Sequence, residues 1–478
     1  MRRTKIVCTL GPASSSQEIM TELLRAGMNT ARLNFSHGSH ESHAEMIRRF
    51  RAARDELGVP AAVMLDTKGP EIRLGDFDAP APVRAGQPYT FTTETCTGDS
   101  SRCQVSYTLL PRDVHAGDSL LVDDGEIAFP VEETSDTQIR CTVMNDGVLR
   151  NRKGVNIPGA RLSMPFLSEQ DRDDLLFGID QDVDYVAASF VRRGEDVEQM
   201  RAFLRENGGE NIRIIAKIEN TEGVERFEEI LAAADGIMVA RGDMGVEIPF
   251  EKLPGIQKRF IRACSQSGKI VITATQMLDS MEENRMPTRA EISDVANAVF
   301  DGSSAVMLSG ESAAGRYPVE SVKAMARIAE QAEADAYAVG LYRDIWHVKD
   351  VNDNTNAVSA AACTMADQTG AKAIITDTSS GRAARRVARF RPGQLILAAT
   401  PNKKVYHQLS LVWGVTPMMV RRTESVDILF HASVERGRAL GYLKTGDTVV
   451  LTAGIPLNTS GSTNMVKVET VEPPEDEY

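Results

Sequence analysis

The feature that most constrains the fold of this chain is a repeated alternation of short apolar runs with longer amphipathic segments. The apolar runs are rich in Ile, Val and Ala and are too short for helices, which predicts buried strands of a parallel sheet. Three runs precede residue 68, at 5–9, 29–35 and 61–67. Five more follow residue 167, at 185–190, 212–218, 236–240, 270–275 and 305–309. Parallel strands that alternate with helices predict an α/β domain.

The number of predicted strands, eight in all, is that of a closed (β/α)8 TIM barrel. An open doubly wound sheet is the alternative. Closure is favoured because polar residues stand at the carboxyl ends of nearly every strand, and in a barrel those ends form one ring around one site. These residues are Asn34, Ser36, Asp66, Thr67, Lys217, Glu219, Asp243, Thr275, Ser309 and Glu311.

Two stretches depart from this alternation and predict further domains. Residues 69–167 have β-type alternations and turn signals but no convincing amphipathic helix, which predicts an all-β domain inserted into a loop of the barrel. Residues 343–478 begin another set of helices and strands, which predicts a C-terminal α/β domain. The barrel itself is then expected at 1–68 and 168–342.

The charge balance and the cysteines limit the function classes. The 54 Lys and Arg residues against 67 Asp and Glu residues give a net charge of -13, which argues against general binding to nucleic acid or to anionic membranes. The six cysteines form no CxxC pair, which is typical of reduced thiols in a cytosolic protein. No apolar run approaches the ~20 residues that a membrane span needs. We therefore expect a cytoplasmic protein.

Two neighbouring predicted strands bring charged residues to their ends. Lys217 and Glu219 are two positions apart, so their side chains point from one face of a strand, and Asp243 follows the next strand. A cation beside two carboxylates at one rim suggests a divalent metal ion together with an anionic substrate. An ion pair that only caps a strand is the alternative interpretation of Lys217 and Glu219.

Long, ordered motifs along the whole chain are similar to those of one known family. They are TKIVCTLGP at 4–12, ARLNFSHG at 31–38, LDTKGPEIR at 65–73, KGVNIPG at 153–159, KIEN at 217–220, MVARGDMGVEIP at 238–249, TATQMLDSM at 273–281, PTRAEISDVANAV at 287–299 and AVMLSGES at 305–312. Through these motifs the chain resembles the pyruvate kinase family. The domain organisation of that family agrees with the division given above.

The resemblance implies transfer of the phosphoryl group of phosphoenolpyruvate to ADP, which gives ATP and pyruvate in the last step of glycolysis. By their place in the motifs, Lys217 is implied to contact the moving phosphoryl group and Arg32 to clamp its oxygens. Gly242 and Asp243 are implied to bind the substrate, Gly242 by letting the backbone approach the substrate carboxylate. Thr275 is implied to belong to the relay that protonates the enolate.

The resemblance also implies two metal ions. Glu219 and Asp243 are implied ligands of Mg²⁺, or of Mn²⁺ in its place. A K⁺ site is implied at Asn34, Ser36, Asp66 and Thr67. Glu71 stands where K⁺-dependent members of the family carry glutamate and K⁺-independent members carry lysine, so we expect the activity to depend on K⁺.

A nucleotide site and its lid are implied in the same way. The residues at the family's nucleotide-binding positions are Asn34, His37, Arg73 and Lys153. The guanidinium of Arg73 is suited to phosphate oxygens. The resemblance implies that the inserted domain is a β-barrel lid. Because this domain carries Lys153, it is expected to close over ADP or ATP and to exclude water.

A loop of the C-terminal domain is implied to bind a phosphorylated allosteric effector. It follows a predicted strand, opens a helix and consists of Thr378, Ser379, Ser380, Gly381 and Arg382. Hydroxyls, N–H groups and a guanidinium at a helix N-terminus can cradle a phosphate. An ordinary N-cap turn is the alternative. The candidate effectors are fructose 1,6-bisphosphate, AMP, ribose 5-phosphate and glucose 6-phosphate, and the second half of the pocket is expected near Trp413 and 454–464.

Two other function classes are open alternatives. A barrel with Mg²⁺ ligands can be an aldolase or lyase that acts on pyruvate-like enolates, and such an enzyme needs no nucleotide lid. A catalytically inactive regulatory or sugar-phosphate-binding protein is the second alternative. The resemblance also implies a homotetramer, which is common in the family.

Overall fold

The first part of the chain forms three strands and two helices of a barrel, in a computed structural model that describes residues 1–342, 353–457 and 463–473. These elements are β1 (Lys5–Thr9), α1 (Gln17–Ala26), β2 (Thr30–Asn34), α2 (His40–Leu57) and β3 (Ala62–Asp66). Both helices begin after a serine, because the hydroxyls of Ser16 and Ser39 accept hydrogen bonds from backbone N–H groups of the first turn. Each helix ends at a glycine, Gly27 or Gly58.

The inserted segment follows β3 and has its own apolar core. Its elements are β4 (Ala81–Val83), β5 (Pro88–Thr92), β6 (Arg102–Gln104), α3 (Leu110–Asp113), β7 (Ser119–Val122), β8 (Ile127–Thr134), β9 (Gln138–Thr142), β10 (Gly147–Leu149) and β11 (Val155–Asn156). The core packs Tyr89, Phe91 and Phe129 against one another, with ring centroids 5.0–5.2 Å apart.

Six strands of this segment form a sheet in the order β11-β7-β8-β9-β5-β6. The chain at residues 72–75 connects the two outer strands: Arg73 bridges the chain beside β11, and Leu74 bridges the chain beside β6. These bridges agree with the expected β-barrel, which stays a prediction. The strands β4 and β10 pair with each other. The segment also contains one turn of helix, α3, where Leu110 and Pro111 are buried.

The chain then returns to the barrel. The elements are α4 (Glu169–Asp180), β12 (Tyr185–Ala188), α5 (Gly194–Glu206), β13 (Arg213–Ile218), α6 (Thr221–Glu225), α7 (Phe227–Ala233), β14 (Gly236–Ala240), α8 (Arg241–Glu247), α9 (Leu253–Ser267), β15 (Ile270–Ala274), α10 (Arg289–Asp301), β16 (Ala305–Leu308), α11 (Gly310–Ala313) and α12 (Pro318–Ala338). Eight parallel strands close in the order β1-β16-β15-β14-β13-β12-β3-β2. The predicted (β/α)8 barrel is confirmed, and the open-sheet alternative is excluded.

The C-terminal domain is an α/β sheet, as predicted. Its described elements are α13 (Asn354–Gln368), β17 (Ala373–Asp377), α14 (Arg382–Arg389), β18 (Leu395–Thr400), α15 (Lys403–Gln408), β19 (Val415–Met419), α16 (Val426–Ala439), β20 (Thr448–Gly454) and β21 (Thr463–Thr470). The strand order is β19-β18-β17-β20-β21, and only β21 is antiparallel to its neighbour.

This domain packs against the floor of the barrel, at the end opposite the carboxyl ends of the strands. Floor residues such as Met64 and Tyr185 share one apolar cluster with Phe390 and Leu411. The hydroxyl of Tyr185 donates to the carbonyl of Gln408 at 2.6 Å. The C-terminal domain is therefore far from the rim where the predicted catalytic residues lie. Within the described residues, none of the helices combines the length and the apolar character required to cross a bilayer.

Candidate active site at the barrel mouth

Lys217, on β13, is the centre of the site. Its Nζ donates to Ser189 Oγ at 2.7 Å and lies 3.1 Å from Asp66 Oδ1 and 2.9 Å from Glu219 Oε1. Burial lowers the pKa of Lys217, but Asp66 and Glu219 together raise it by more, so the pKa lies above its usual value. The structure thus holds a charged ammonium between two carboxylates at the rim.

Arg32, on β2, supplies a second cation beside the first. Its Nε donates to Asp66 Oδ2 at 2.5 Å and its Nη1 donates to Thr9 Oγ1 at 2.8 Å. Burial raises the pKa of Asp66, but Arg32 and Lys217 lower it by more, and the net shift is downward. Asp66 is therefore an ionised anchor that holds the two cations next to each other.

Glu219 follows β13 directly and is 1% exposed. Its Oε2 accepts a hydrogen bond from Phe190 N–H at 2.5 Å, and its Oε1 is paired with Lys217 Nζ at 2.9 Å. Burial raises the pKa of Glu219 to about 8, with Lys217 lowering it and Asp243 raising it further. A buried carboxylate with a raised pKa, near the second carboxylate of Asp243, fits a divalent cation.

Asp243 belongs to the same site but not to a strand. The predicted strand at 236–240 is β14, and Asp243 follows it in the first turn of α8. The chain turns into this helix directly after the strand, without a loop. The carboxylate nevertheless raises the pKa of both Lys217 and Glu219, so the helix brings it to the rim.

Gly242 and Thr275 lie against each other. A Cβ at Gly242 would stand 2.8 Å from Thr275 Cγ2, so only glycine fits this approach. Thr275 has φ +75°, which is strained for a β-branched residue. Its carbonyl accepts a hydrogen bond from Arg241 Nη2 at 2.6 Å, and Arg241 Nη1 lies 2.7 Å from Asp294 Oδ2. These contacts hold Thr275 in a strained conformation after β15.

The oxygens predicted to bind K⁺ come from the ends of two neighbouring strands. Asn34 on β2 and Asp66 on β3 are paired in register, and Phe35 N–H donates to the Asp66 carbonyl at 3.0 Å. Asn34 Oδ1 accepts from Ser36 N–H at 3.2 Å, and Thr67 follows Asp66 in the chain. An all-oxygen set with one full charge fits a monovalent cation, which would share Asp66 with Arg32 and Lys217.

A cavity of about 320 Å³ separates the inserted segment from the barrel mouth. Arg73 and Lys153 line it from the inserted side, and Asp243 lines it from the barrel side. Lys153 Nζ is paired with Asp123 Oδ1 at 2.7 Å, and Arg73 Nη2 with Glu71 Oε2 at 2.6 Å. Both cations are held by single, partly exposed carboxylates, so an entering phosphate can compete for them.

His37 lies apart from the cavity lined by Arg73 and Lys153, two other residues predicted to bind the nucleotide. It is exposed on the loop after β2, and it is not among the described residues that line the cavity. Its carbonyl accepts a hydrogen bond from His43 Nε2 at 2.8 Å. The assignment of His37 to nucleotide binding stays a prediction.

Sequence reasoning missed Ser189 and Thr9. Ser189 follows β12, and its hydroxyl accepts from Lys217 Nζ and donates to the Thr67 carbonyl at 2.6 Å. Thr9 accepts from Arg32. Each is a hydroxyl residue at the carboxyl end of an apolar run, which could have identified both as rim residues, but neither is charged.

The loop Thr378–Arg382 borders a second cavity, of about 70 Å³, at the carboxyl ends of the C-terminal sheet. Thr378, Ser379, Ser380 and Arg382 line it, together with Arg421, Arg422, Gly454, Leu457 and Thr463. Gly381 has φ +77° and lies just before α14. The guanidinium of Arg382 lies 3.0 Å from Asp353 Oδ2, a partly exposed pair that an anion can displace.

The expectation for the second half of this pocket holds only in part. Gly454 and Thr463 line the cavity, and residues 458–462 lie outside the described part of the chain. Trp413 was expected here, but it lies beside Lys269 and Arg391 at the barrel floor. The expectation for Trp413 is wrong because the chain before β19 passes along the domain interface rather than along the carboxyl ends of the strands.

The barrel and the cluster of cations and carboxylates at its mouth are suited to an enzyme of the phosphotransferase class. A family model described as the barrel domain of pyruvate kinase matches residues 1–322, and one described as its alpha/beta domain matches residues 356–469. The chain belongs to the pyruvate kinase family.

Individual relatives agree with this assignment. A pyruvate kinase of Clostridium acetobutylicum is 47% identical over 477 residues, which is 99% of this chain and 100% of the relative. One of Staphylococcus haemolyticus is 46% identical over 474 residues, covering 98% of this chain and 81% of the relative. The crystal structure of a pyruvate kinase from Cryptosporidium parvum superposes with a TM-score of 0.93 at 38% identity, covering 98% of this chain and 96% of that one. The resemblance drawn from the motifs is confirmed.

Proposed function

We propose that the barrel mouth transfers the phosphoryl group of phosphoenolpyruvate to ADP, and that Lys217 carries the chemistry. The supporting observation is the ammonium of Lys217, buried between Asp66 and Glu219 with Arg32 beside Asp66. Two adjacent cations can neutralise the charge of a migrating phosphoryl group without rearrangement. Lys217 would also stabilise the enolate oxygen that forms when the phosphorus–oxygen bond breaks.

The other residues of the rim position the substrate and move the proton. By resemblance, the backbone of Gly242 would approach the substrate carboxylate, since glycine has no side chain in the way. Thr275, held by Arg241, would orient a water molecule that protonates the enolate, because a threonine hydroxyl is too weak an acid to act alone. Glu219 and Asp243 would hold Mg²⁺ or Mn²⁺, which when bound neutralises charge on the substrate oxygens.

The inserted segment would act as the nucleotide lid. Arg73 and Lys153 face Asp243 across the cavity, so closure would bring both cations onto the phosphates of ADP or ATP. Asn34 and His37 are assigned to the same nucleotide by resemblance. This cationic lid favours a kinase over a lyase, which needs no second substrate. The decisive assay is pyruvate formation from phosphoenolpyruvate with Mg²⁺ and K⁺: it should require ADP, and formation without ADP would reject the proposal.

Activity should depend on K⁺. We expect activity in K⁺-free tetramethylammonium buffer to fall by about tenfold or more, equivalent to roughly 1.4 kcal/mol in the transition state. The reason is that Asn34, Ser36, Asp66 and Thr67 would lose the ion that fixes the ends of β2 and β3. The matched variant is Glu71→Lys, whose ammonium would replace the ion and reduce the dependence. Equal wild-type activity in both buffers would remove K⁺ from the proposal.

We further propose that the loop Thr378–Arg382 binds a phosphorylated effector that activates the enzyme. Support comes from the cavity beside it, which Arg382 and Arg421 both line. We expect Arg382→Ala to abolish activation by fructose 1,6-bisphosphate, AMP, ribose 5-phosphate or glucose 6-phosphate at sub-saturating phosphoenolpyruvate, and to leave saturated turnover within about twofold. Lys444→Ala, an exposed cation of the same domain outside the cavity, is the control. Unchanged activation in Arg382→Ala would exclude the loop.

Three further assignments complete the proposal. The domain boundaries are those given by the sequence, with the barrel at 1–68 and 168–342, the lid at 69–167 and the C-terminal domain at 343–478. A homotetramer would transmit effector binding between subunits. A cytoplasmic location is supported by six free cysteines, five of them buried.

A further inference from the structure

The interface between the barrel floor and the C-terminal domain contains a cluster of buried cations. Lys269 comes from the loop between α9 and β15, Arg385 from α14, and Arg391 from the chain just after α14. They line a cavity of about 30 Å³ together with Arg389 and Trp413. This cavity lies at the other end of the barrel from the rim and shares no residue with the cavity beside the loop Thr378–Arg382.

No carboxylate of the described protein neutralises this cluster, although Lys269 Nζ donates to three backbone carbonyls at the C-terminus of α7 and Arg391 Nη2 donates to the Gly302 carbonyl. Lys269, Arg385 and Arg391 have no carboxylate within 4 Å among the described residues. The carboxylates that influence them most are already engaged: Asp235 is paired with Arg201 and Arg213, and Glu333 accepts hydrogen bonds from the backbone N–H groups of residues 3 and 4. Burial accordingly lowers the pKa of Arg385 to about 10 and also lowers the pKa of Lys269 and Arg391.

Two donors of the cluster also lack a hydrogen-bond partner. Arg391 Nη1 and Trp413 Nε1 are buried, and no acceptor of the described chain reaches either of them. Arg391 is 3% exposed and stacks on Trp413, with its guanidinium carbon 4.2 Å from the ring centroid. Buried donors of this kind need an acceptor, which water could supply. Water would leave the positive charge uncompensated, whereas an anion meets both needs.

The geometry points to a site for a small oxyanion, such as inorganic phosphate, in the cavity lined by Lys269, Arg385, Arg391 and Trp413. The oxygens would accept from Trp413 Nε1 and Arg391 Nη1, and Arg385 and Lys269 would supply charge from two sides. The cavity of about 30 Å³ is too small for a sugar phosphate, and a small oxyanion fits there once the long arginine side chains move outward. Because Lys269 belongs to the barrel and the arginines to the C-terminal domain, the ion would strengthen the docking of the two domains.

Trp413 makes the site observable without an activity assay. The chain has two tryptophans, Trp346 and Trp413, so Trp346→Phe leaves Trp413 as the only indole. In this background we expect inorganic phosphate to change the fluorescence in a saturable way and to raise the melting temperature by a few degrees. Chloride at equal ionic strength should do neither. If the fluorescence of the Trp346→Phe protein shows no saturable change with phosphate, the inference is overturned.

Variants distinguish this site from the loop Thr378–Arg382, which Arg385 also contacts because its Nη2 donates to the Ser380 carbonyl at 3.3 Å. Arg385→Gln should weaken the fluorescence response at least about tenfold, and Arg391→Gln should weaken the melting shift in the same way. The matched control is Arg386→Gln, since Arg386 is the neighbouring arginine of α14 but does not line the cavity. This control and Arg382→Ala should both keep the response. An unchanged response in Arg385→Gln, or its loss in Arg382→Ala, would refute the assignment.

A second titration tests whether the ligand is free inorganic phosphate or a phosphate monoester. Glycerol 3-phosphate carries a phosphate group on a glycerol chain, and the cavity of about 30 Å³ should be too small for that chain. A response to phosphate that is at least about tenfold stronger than the response to the monoester supports inorganic phosphate. A response to the monoester alone would overturn the assignment to a free oxyanion.

Discussion

Replacing Lys217 by methionine should lower turnover by about a thousandfold or more while the protein stays folded. Methionine keeps the apolar stem but removes the ammonium that lies 3.1 Å from Asp66 and 2.9 Å from Glu219. Loss of one preorganised charge at a transferring group typically costs two to three orders of magnitude, and loss of a cation on a phosphoryl group can cost more. A coupled assay of pyruvate release at saturating substrate concentrations gives the ratio of the wild-type and variant turnover numbers.

A stability control is needed because the variant leaves buried carboxylates without their cation, which costs about 3 kcal/mol of unfolding free energy. Lys5→Met is the matched control. Lys5 and Lys217 are both 8% exposed on barrel strands, but Lys5 lies at the opposite end, where its Nζ donates to the Val415 carbonyl. We expect Lys5→Met to lose stability and to keep turnover. A folded Lys217→Met with turnover within threefold of wild type would contradict the proposed role.

Replacing Glu219 by glutamine should change the metal requirement as well as the rate. The amide keeps the size of the side chain and can still accept from Phe190 N–H, but it lacks the charge that a divalent cation needs. We expect turnover to fall by about a hundredfold. The Mg²⁺ concentration for half-maximal activity should rise by at least about tenfold. Mn²⁺ binding to the free protein, followed by electron paramagnetic resonance, tests the ligand directly.

Glu247→Gln is the control for this variant. Glu247 lies on α8 and lines the same cavity as Asp243, and burial raises its pKa as well, but its carboxylate accepts from Thr221 N–H at 2.9 Å. Its replacement should leave Mn²⁺ binding unchanged. Equal Mn²⁺ affinity in wild type and Glu219→Gln would show that Glu219 is not a ligand.

The two predictions depend on one electrostatic arrangement. Lys217 is stabilised as a cation by Asp66 and Glu219, whereas Glu219 carries a raised pKa because it is buried near Asp243. Lys217 is therefore favoured as a cation, whereas burial opposes the negative charge of Glu219. A buried carboxylate with a raised pKa beside a stable cation is typical of a site that binds a metal ion and an anionic substrate.

The sequence by itself determined the barrel and most of its rim. Strands β13 and β14 were predicted almost to the residue because short apolar runs ending in charge are distinctive. Parallel strands in a closed barrel must bring their carboxyl ends together, so strand-end residues such as Lys217 and Asp66 were predicted to meet although 151 positions separate them. Periodicity also placed Lys217 and Glu219 on one face.

Only the tertiary structure decided how these groups interact. The two-residue period of a strand shows which side chains share a face but gives no distances between atoms. It could not show that Asp66 contacts both Arg32 and Lys217, or that Ser189 contacts Asp66 and Lys217. The left-handed backbone at Thr275 depends on contacts with Arg241, which no local pattern encodes. The buried cations at the barrel floor come from segments more than a hundred residues apart and become a cluster only because the two domains dock.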